Sequence, residues 1–313
     1  MRFNRLDLNL LVALDALLTE CSITRASERL NLSPSATSNA LARLREYFDD
    51  ELLVQVGRRM EPTPRAQGLQ DAVRDVLLRV DSTIAIQPQF DPSTSDRCFR
   101  IFVSDYTQMV FVPHLLALAH EERCSARFDF LPQVTTPQRN LERGEADLLI
   151  IPRGFLSPDH PEEVLYREEF VCVVWRDAAI ARGELSFERY LAAGHVVMQP
   201  PGTVGDSFEA WFVKRFGVTR RVAVTSYGFA TLPAMVVGTE LIATVHARLA
   251  RALQASWPIA LRAPPLPITA MEQGVQWHKY RTSDPGLVWL RGLLRRAVQR
   301  MDATLPAPAT ADV

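Results

Sequence analysis

Residues 22–45 read SITRASERLNLSPSATSNALARLR, a pattern that predicts two helices joined by a tight turn. Ile23, Ala26 and Leu30 recur at the spacing of one buried helical face in the first of them. Residues that favour the start of a helix precede or open both segments: Ser22, Ser33 and Pro34. The stretch therefore predicts a helix-turn-helix unit with a short first helix.

The second helix is predicted to have an inward apolar face and an outward polar one. Apolar residues step by four along the inward face: Ala36, Ala40, Leu44 and Phe48. The opposite face carries small polar side chains flanked by two cations: Ser35, Ser38, Asn39, Arg43 and Arg45. Such a face fits the DNA major groove, where Asn can pair with an adenine edge and flanking Arg can hold phosphates. A plain helical hairpin with a solvated face is the alternative for this segment alone.

The residues that follow the second helix weaken that alternative. Residues 49–56 form a short extended run, Gly57-Arg58-Arg59 makes a cationic turn, and residues 60–64 lead out again. A hairpin with arginines at its tip is typical of a wing that reaches the DNA backbone or minor groove. The candidate DNA-binding residues are Ser33, Ser35, Ser38, Asn39, Arg43, Arg45, Arg58 and Arg59.

The charge of this N-terminal segment is close to neutral. Residues 1–64 contain eight Arg and no Lys against nine Asp and Glu, and the whole chain has a formal net charge of −1. Non-specific DNA affinity rests on neutralised phosphates. Binding is therefore expected to depend on locally placed arginines and on paired copies of the chain rather than on bulk charge.

A long helix is predicted over residues 65–86. Its apolar residues alternate at three and four positions, the spacing of a coiled-coil seam: Ala66, Leu69, Val73, Val76 and Val80. A dimerisation helix and a helix packed on its own domain both fit this pattern. Residues 87–95 have the Pro and Ser content of a linker.

Strands alternate with helices from Arg97 onward, which predicts parallel-rich α/β layers. Strands are expected at residues 98–103, 127–131, 147–151, 170–175, 195–199, 222–226 and 241–245. Helices are expected at residues 107–122, 137–143, 186–193, 206–216, 231–237, 247–255 and 285–301. Residues 162–167 and 264–267 are interpreted as two crossings between two lobes.

Ligands of open α/β sheets bind beyond the carboxyl ends of the strands, and that rule selects a set of candidate effector-binding residues. They are Ser104, Asp105, Tyr106, Thr135, Gly202, Thr203, Tyr227, Phe229 and His246. The mixture of hydroxyls and aromatic rings suits a flat, partly polar molecule. Helix capping is an alternative role for Asp105 and Thr135, and a place at the edge of the core is one for His246.

Catalytic, metal and cofactor sites are not expected. The chain has no Gly-rich phosphate loop, no metal-spaced His and Cys set, and no nucleophile elbow. Two other functions are considered, a solute-binding protein with the same two lobes and a two-lobed enzyme such as a deaminase or synthase. The helix-turn-helix argues against the first, and the absence of a Lys at a strand end argues against the second.

Sequence patterns also predict a cytoplasmic protein. No run of 18 or more apolar residues is present, and the N-terminus leads directly into an amphipathic helix that contains acidic residues. The four cysteines are scattered, which is typical of reduced thiols. Membrane contact is therefore not expected.

Together these motifs resemble those of the LysR-type transcriptional regulators over essentially the whole chain. The resemblance rests on residues 6–20, the helix-turn-helix and residues 57–64. Residues 276–291 resemble the C-terminal signature of a subgroup of nodulation-type and salicylate- or aromatic-catabolism-type activators. One departure is visible, because the family often has Ser-Gln-Pro-Ala-Val-Ser where this chain has Ser33-Pro-Ser-Ala-Thr-Ser38. Pro34 thus replaces a Gln that is usually available for base contact.

The resemblance implies an α/β protein with a winged helix-turn-helix at 1–64, a linker and dimerisation helix at 65–91, and an effector-binding domain at 92–302. The last of these would have two periplasmic-binding-protein-like lobes, 92–163 with 268–302 and 164–267. Residues 303–313 are rich in Ala, Pro and Thr, a composition that predicts a disordered tail. Implied partners are operator DNA, a small-molecule co-inducer, a second copy through the 65–86 helix, a tetramer and RNA polymerase.

The resemblance also emphasises three of the candidate effector-binding residues, Ser104, Thr203 and Phe229. The pair Glu168-Glu169 would disfavour an anionic effector if it faces the pocket. The charge of the effector therefore stays open at the level of sequence.

Overall fold

The computed structural model describes residues 6–84, 89–132, 136–199, 217 and 219–304. The chain divides into two compact units, residues 1–87 together with 142–145, and the remainder. Each unit has its own hydrophobic core.

The first unit contains the predicted helix-turn-helix and hairpin. Its helices are α1 (Leu8–Glu20), α2 (Ile23–Leu30), α3 (Pro34–Phe48) and α4 (Pro64–Ile84). The hairpin strands are β1 (Leu53–Val56) and β2 (Arg59–Pro62), paired antiparallel. The turn between them holds Gly57 at φ 63°, a left-handed conformation that glycine adopts without strain. As predicted, Ser22 and Ser33 cap α2 and α3 through their side-chain oxygens.

The inward face of α3 agrees with the prediction at Leu44 and differs from it at Ala36. Thr37, Leu41 and Leu44 are buried, whereas Ala36 is exposed and Ala40 is half-buried. Steps of four residues advance about 40° around a helix beyond each full turn, so the predicted series drifts away from a straight face. The observed residues alternate steps of four and three, which keeps them in line with the core.

Most residues of the apolar seam predicted along α4 pack within the first unit. Ala66 and Val73 are buried in the core of the first unit, and Leu69 packs against it. Arg74, which lies off the predicted seam, is buried and pairs with Asp15 of α1 at 2.6 Å. The N-terminal part of α4 is therefore a helix packed on its own domain, the alternative interpretation of the pattern.

The second unit contains two five-stranded sheets. The first, in the order β4-β3-β5-β12-β6, is the core of lobe I, and the second, in the order β11-β7-β10-β8-β9, is the core of lobe II. The strands are β3 (Cys98–Val103), β4 (Arg127–Pro132), β5 (Leu148–Pro152), β6 (Glu162–Glu168), β7 (Phe170–Trp175), β8 (Gly194–Met198), β9 (Arg221–Ser226), β10 (Ile242–His246), β11 (Ile259–Arg262) and β12 (Met271–Trp277). Each sheet is mixed, with three mutually parallel strands and two that pair antiparallel.

Helices cover these sheets. Lobe I carries α5 (Asp105–Val110), α6 (Val112–Glu121), α7 (Pro137–Glu142) and α11 (Pro285–Ala303). Lobe II carries α8 (Phe187–Ala192), α9 (Leu232–Met235) and α10 (Ala247–Gln254). The helix predicted at 206–216 lies outside the described residues.

The first crossing between the lobes is displaced from its predicted position, whereas the second includes the predicted residues 264–267. Residues 162–167, which the sequence pattern assigns to a crossing, belong instead to β6, which pairs with β12 at the edge of the lobe I sheet. The chain passes into lobe II at Glu169 and returns through residues 263–270. Because β6 is itself a strand of lobe I, the first crossing is a single residue. So short a connection restricts how far the two lobes can move apart at this point.

Two general properties follow from the described part of the chain. None of its helices is long and apolar enough to cross a membrane. Within the same residues no group of three or more His, Cys, Asp and Glu side chains is arranged to hold a metal ion. All four cysteines are free thiols, and Cys172 is buried.

Candidate DNA-binding and effector sites

The outward face of α3 is a narrow strip of small polar side chains. Ser35, Ser38 and Asn39 are all exposed. Ser33 caps the helix by accepting the Ala36 N–H at 3.2 Å, and its hydroxyl lies 3.0 Å from that of Ser35. The strip therefore begins at an ordered helix end and can approach a groove closely.

The two arginines that flank this strip have different environments. The Arg43 side chain is 59% exposed and lies 3.5 Å from the Asp7 carboxylate. Arg45 donates to the backbone carbonyls of Glu51 at 2.8 Å and Leu53 at 2.9 Å. Arg45 therefore ties α3 to the base of the hairpin, whereas Arg43 remains accessible.

The tip of the hairpin carries the exposed pair Arg58 and Arg59. Among the described residues neither forms an ion pair with an acidic side chain. Both line a cavity of about 670 Å³ together with Arg25 of α2. Sequence reasoning missed Arg25 because no local pattern brings the start of α2 beside the hairpin.

Acidic residues in the first unit are neutralised away from this tip. Asp15 pairs with Arg29 at 3.1 Å and Arg74 at 2.6 Å, and Glu20 pairs with Arg25 at 3.5 Å. The near-zero charge of residues 1–64 is therefore unevenly distributed. Arg58 and Arg59 of the hairpin carry positive charge that no ion pair among the described residues compensates.

In the second unit, the junction between β3 and α5 holds three of the candidate effector-binding residues. Ser104 caps α5, because its hydroxyl accepts the Thr107 N–H at 3.2 Å. The Asp105 carboxylate accepts the N–H of Ala230 in lobe II at 2.8 Å. Both residues thus act as caps or bridges, and Asp105 connects the two lobes.

An aromatic cluster surrounds His246 between the lobes. The His246 ring stacks on Tyr106 with a centroid distance of 3.7 Å, and Phe229 packs edge-on at 4.6 Å. His246 is only 3% exposed, and burial lowers its pKa to about 3. The imidazole is therefore neutral and belongs to an apolar seam that includes Phe170.

A chain of ionic contacts that starts at a buried carboxylate lies beside this cluster. The Tyr106 hydroxyl hydrogen-bonds Glu168, which is 1% exposed and lies 3.2 Å from Arg248 of α10. Arg248 also pairs with Asp302 of α11 at 2.8 Å. Because Arg248 neutralises Glu168, that carboxylate gives no ground for excluding an anionic effector. The adjacent Glu169 is exposed.

The remaining candidate effector-binding residues are not part of this arrangement. Tyr227 is 78% exposed, and Thr135, Gly202 and Thr203 lie outside the described residues. Thr107, which the strand-end rule also places after β3, is fully buried and accepts a hydrogen bond from Gln273 at 3.3 Å, a contact that the sequence did not predict. Gln273 lies on β12, a strand absent from the sequence-based prediction, so no signal connected the two positions.

A second cavity, of about 660 Å³, opens where the crossings leave lobe I. Its cations are already paired, because Arg153 contacts Glu162 at 2.7 Å and Glu272 at 3.1 Å, and Arg167 contacts Glu272 at 3.1 Å. These arginines lower the pKa of the Glu272 carboxyl. The cavity therefore offers no surplus charge to a ligand.

Comparisons with known proteins agree on both units. Residues 8–67 match the model of the bacterial regulatory helix-turn-helix protein, lysR family, and residues 94–299 match that of the LysR substrate binding domain. The chain is 42% identical over 301 residues to nodulation protein D 2 of Rhizobium tropici, covering 96% of each protein. It is 40% identical over 309 residues to nodulation protein D 1 of Bradyrhizobium elkanii, covering 98% of each.

Solved structures are similar as well. A probable transcriptional regulator from Pseudomonas aeruginosa superimposes with a TM-score of 0.65 at 28% identity, covering 94% of this chain and 98% of that one. A full-length OxyR variant from the same organism shares the fold, with a TM-score of 0.73 at 17% identity over 94% of this chain and 95% of that one.

Proposed function

This chain belongs to the LysR family of transcriptional regulators, and from that premise we propose how its residues divide the work of reading DNA and sensing a small molecule. Residues 1–64 read DNA, 65–91 link and dimerise, and 92–302 bind the effector. The observation that carries the proposal is the exposed polar strip of α3 beside a hairpin with uncompensated arginines.

Base contacts are assigned to the small polar residues of α3. Ser35, Ser38 and Asn39 are exposed on one face, and amide and hydroxyl groups can read base edges in the major groove. Ser33 caps the N-terminal end of α3, which is directed at the groove in this proposal. Pro34 leaves the first turn without the Gln that the family often has there, so we propose that discrimination depends mainly on Ser38 and Asn39.

Phosphate contacts are assigned to the arginines. Arg58, Arg59 and Arg25 line one cavity. Arg25 pairs with Glu20, whereas Arg58 and Arg59 form no ion pair among the described residues. Arg43 is accessible beside the strip. Such contacts fix the register of a protein on DNA without reading its sequence. Arg45 has a supporting role, since its guanidinium holds the hairpin through two carbonyls.

The effector is proposed to bind between the lobes, at the loops that carry Ser104 and Phe229. Asp105, Tyr106 and His246 would line that site, and Thr135, Gly202 and Thr203 are proposed to contribute to it. Hydroxyls beside aromatic rings suit a flat molecule with few polar groups. Tyr227, which is mostly exposed, would contact only a ligand that extends out of the cleft.

The signal is proposed to be a population shift. A ligand that binds one lobe arrangement better than another changes how much of each is present. That change would alter how two DNA-binding units are held and thus the spacing or bend they impose on the operator. We propose further that the chain dimerises through α4 and forms a tetramer. The protein would act in the cytoplasm, where it would contact RNA polymerase and activate transcription.

Footprinting of the full-length protein on DNA upstream of its own and neighbouring genes, at a stated salt concentration, tests the DNA-reading half. An extended protected region over an interrupted inverted repeat is expected, because paired helix-turn-helix units contact successive half-sites. Absence of protection at low salt by a folded, dimeric protein would overturn it.

Substitution in the cleft tests the sensing half. Phe229→Ala or Thr203→Ala should abolish the change in footprint that an active compound causes, while DNA binding persists. Arg251→Ala, on an exposed face of lobe II, serves as the matched control. An unaltered response in Phe229→Ala would remove that residue from the effector site.

A further inference from the structure

The two lobes are joined by a side-chain link as well as by the two backbone crossings. Asp105, the first residue of α5 in lobe I, accepts the N–H of Ala230 in lobe II at 2.8 Å through Oδ2. Its Oδ1 accepts the N–H of Tyr106 at 2.9 Å. The carboxylate therefore connects the end of one helix in lobe I to the loop that precedes α9 in lobe II.

Gly228 is the residue that permits this approach. A Cβ atom at position 228 would lie 2.5 Å from Oδ2 and 3.2 Å from Cγ of Asp105. The backbone of Gly228 is outside the left-handed region, so its conformation alone does not call for glycine. The requirement comes from the carboxylate of the opposite lobe.

Tyr106 and its neighbours form a second, deeper connection. The Tyr106 hydroxyl bonds Glu168 at the end of β6, and Glu168 pairs with Arg248 of lobe II at 3.2 Å. Helix α10 packs against α5, and the Tyr106 and His246 rings stack across the same boundary. Glu168 and His246 are buried, so this part of the boundary cannot open without exposing an ionic chain and an aromatic stack.

The two connections differ in how easily they break. The deep one is buried, charged and joined by several partners, whereas the Asp105 link is a single hydrogen bond to a half-buried carboxylate. A carboxylate at that position can exchange a backbone N–H for water at small cost. Rotation of the lobes about the deep connection would therefore break the Asp105 link first.

We propose that Asp105, Gly228 and Ala230 form an interlobe latch that sets the angle between the lobes in the absence of effector, with Tyr106, Glu168 and Arg248 as its pivot. Asp105 and Gly228 are thus positioning residues. An effector that contacts Phe229, next to Ala230 in sequence, acts on the latch directly. This inference rests on the proposed sensing function only for its consequence in transcription.

The angle can be measured without effector or DNA. Spin labels at the exposed positions Asp159 in lobe I and Gln254 in lobe II, introduced as genetically encoded amino acids, leave the four native cysteines untouched. Doubly labelled full-length protein diluted with unlabelled protein then reports the distance within one chain by pulsed electron paramagnetic resonance.

Wild-type protein is expected to give one narrow distance population. Asp105→Ala and Gly228→Ala should each add a second population that the wild type lacks. The double variant should match Asp105→Ala alone, since the added methyl group then meets no carboxylate. Gly292→Ala is the matched control, because a Cβ at that position of α11 meets no atom within 4 Å.

Distances in Asp105→Ala and Gly228→Ala that superimpose on those of the wild type would overturn the latch. If Gly228→Ala fails to fold, the distances in Asp105→Ala alone test the latch. Transcription from a reporter driven by the DNA upstream of the gene, measured without effector, distinguishes the latch itself from its proposed role in sensing. Changed distances with changed basal output support both, whereas changed distances with unchanged output support the latch and contradict its role in sensing.

Discussion

The hairpin of the first unit and the boundary between the lobes both depend on arginine, in opposite ways. Arg58 and Arg59 are exposed and have no acidic partner among the described residues, whereas the Arg248 side chain is only 13% exposed and pairs with the buried Glu168 and with Asp302. An exposed cation keeps its hydration and remains available to a phosphate. A buried cation costs several kcal/mol to desolvate and persists only with its partners. The exposed arginines are therefore suited to binding another molecule, and the buried one to holding this one together.

The largest expected effect comes from breaking the buried pair. Arg248→Met leaves Glu168 buried without a cation and should lower the free energy of unfolding by about 3–5 kcal/mol. All five tryptophans lie after residue 92, so urea unfolding followed by tryptophan fluorescence reports on the second unit alone.

Two control variants sharpen that measurement. Arg248→Met combined with Glu168→Gln should recover much of the stability, because Gln is neutral and still accepts the Tyr106 hydroxyl proton. Arg251→Met, on the exposed face of the same helix, should change stability by about 0.5 kcal/mol or less. Equal destabilisation by Arg248→Met and Arg251→Met would contradict the contrast between buried and exposed arginine.

Acidification should destabilise the same boundary through His246. Burial lowers its pKa to about 3, below the ordinary 6.5, so the unfolded chain binds the proton first as the pH falls. The stabilisation is complete above about pH 6.5 and declines toward pH 3, with a decrease of about 2 kcal/mol at pH 5.

The comparison that isolates this effect is between wild type and His246→Phe. Phe keeps the stack on Tyr106 and removes the titration, so its free energy of unfolding should change less between pH 7.5 and pH 5. His195, whose pKa burial lowers to about 4, contributes equally in both proteins. The same acid sensitivity in the two proteins would show that His246 is not responsible.

In the first unit, Asn39→Ala and Ser38→Ala should relax operator preference at particular base pairs by about 1–3 kcal/mol each. Selection from a randomised operator library measures this preference position by position. Glu28→Gln, on an exposed face of α2, is the control and should leave the profile unchanged. A uniform decrease in affinity without altered preference would remove these residues from the base-reading face.

The smallest expected effect is on salt dependence. Arg58→Gln should weaken binding to all sequences alike and flatten the plot of log affinity against log salt by about 0.9 for each phosphate that is no longer neutralised. Arg25→Gln should behave in the same way. Arg45→Gln should instead lower the stability of the hairpin, because Arg45 is bonded to the Glu51 and Leu53 carbonyls. Equal slopes in Arg58→Gln and wild type would contradict a phosphate contact by Arg58 of the hairpin.

Local patterns were sufficient for much of this fold. Caps at Ser22 and Ser33, the turn at Gly57 and the strands 98–103 and 170–175 lie where the sequence placed them, because short-range spacing and turn chemistry determine them. The predicted face of α3 was wrong at Ala36, and the pattern of α4 left open which surface covers it. Apolar spacing tells which side of a helix is buried only roughly, and it does not identify the surface that covers it.

Local sequence patterns could not predict the contacts between the lobes. Asp105 and Gly228 are 123 positions apart in the chain, and Tyr106 and Glu168 are 62 apart. Nothing in either neighbourhood encodes the other, since their contact depends on how two sheets pack. Strand β12 was missed because its buried positions include Gln273 and Gln276, which interrupt the apolar run expected of a strand.

Asp7 divides its two oxygens between two tasks. Oδ1 accepts the Leu10 N–H at 2.9 Å and caps α1, and Oδ2 faces Arg43 at 3.5 Å. A DNA phosphate that draws Arg43 away thus leaves the cap of α1 in place. In the proposed DNA complex the carboxylate would compete with the phosphate, so Arg43 would leave Asp7 only for an anion held close to α3. Loosely associated DNA would then gain little from Arg43, whereas a docked operator would gain a contact while the cap of α1 stays intact.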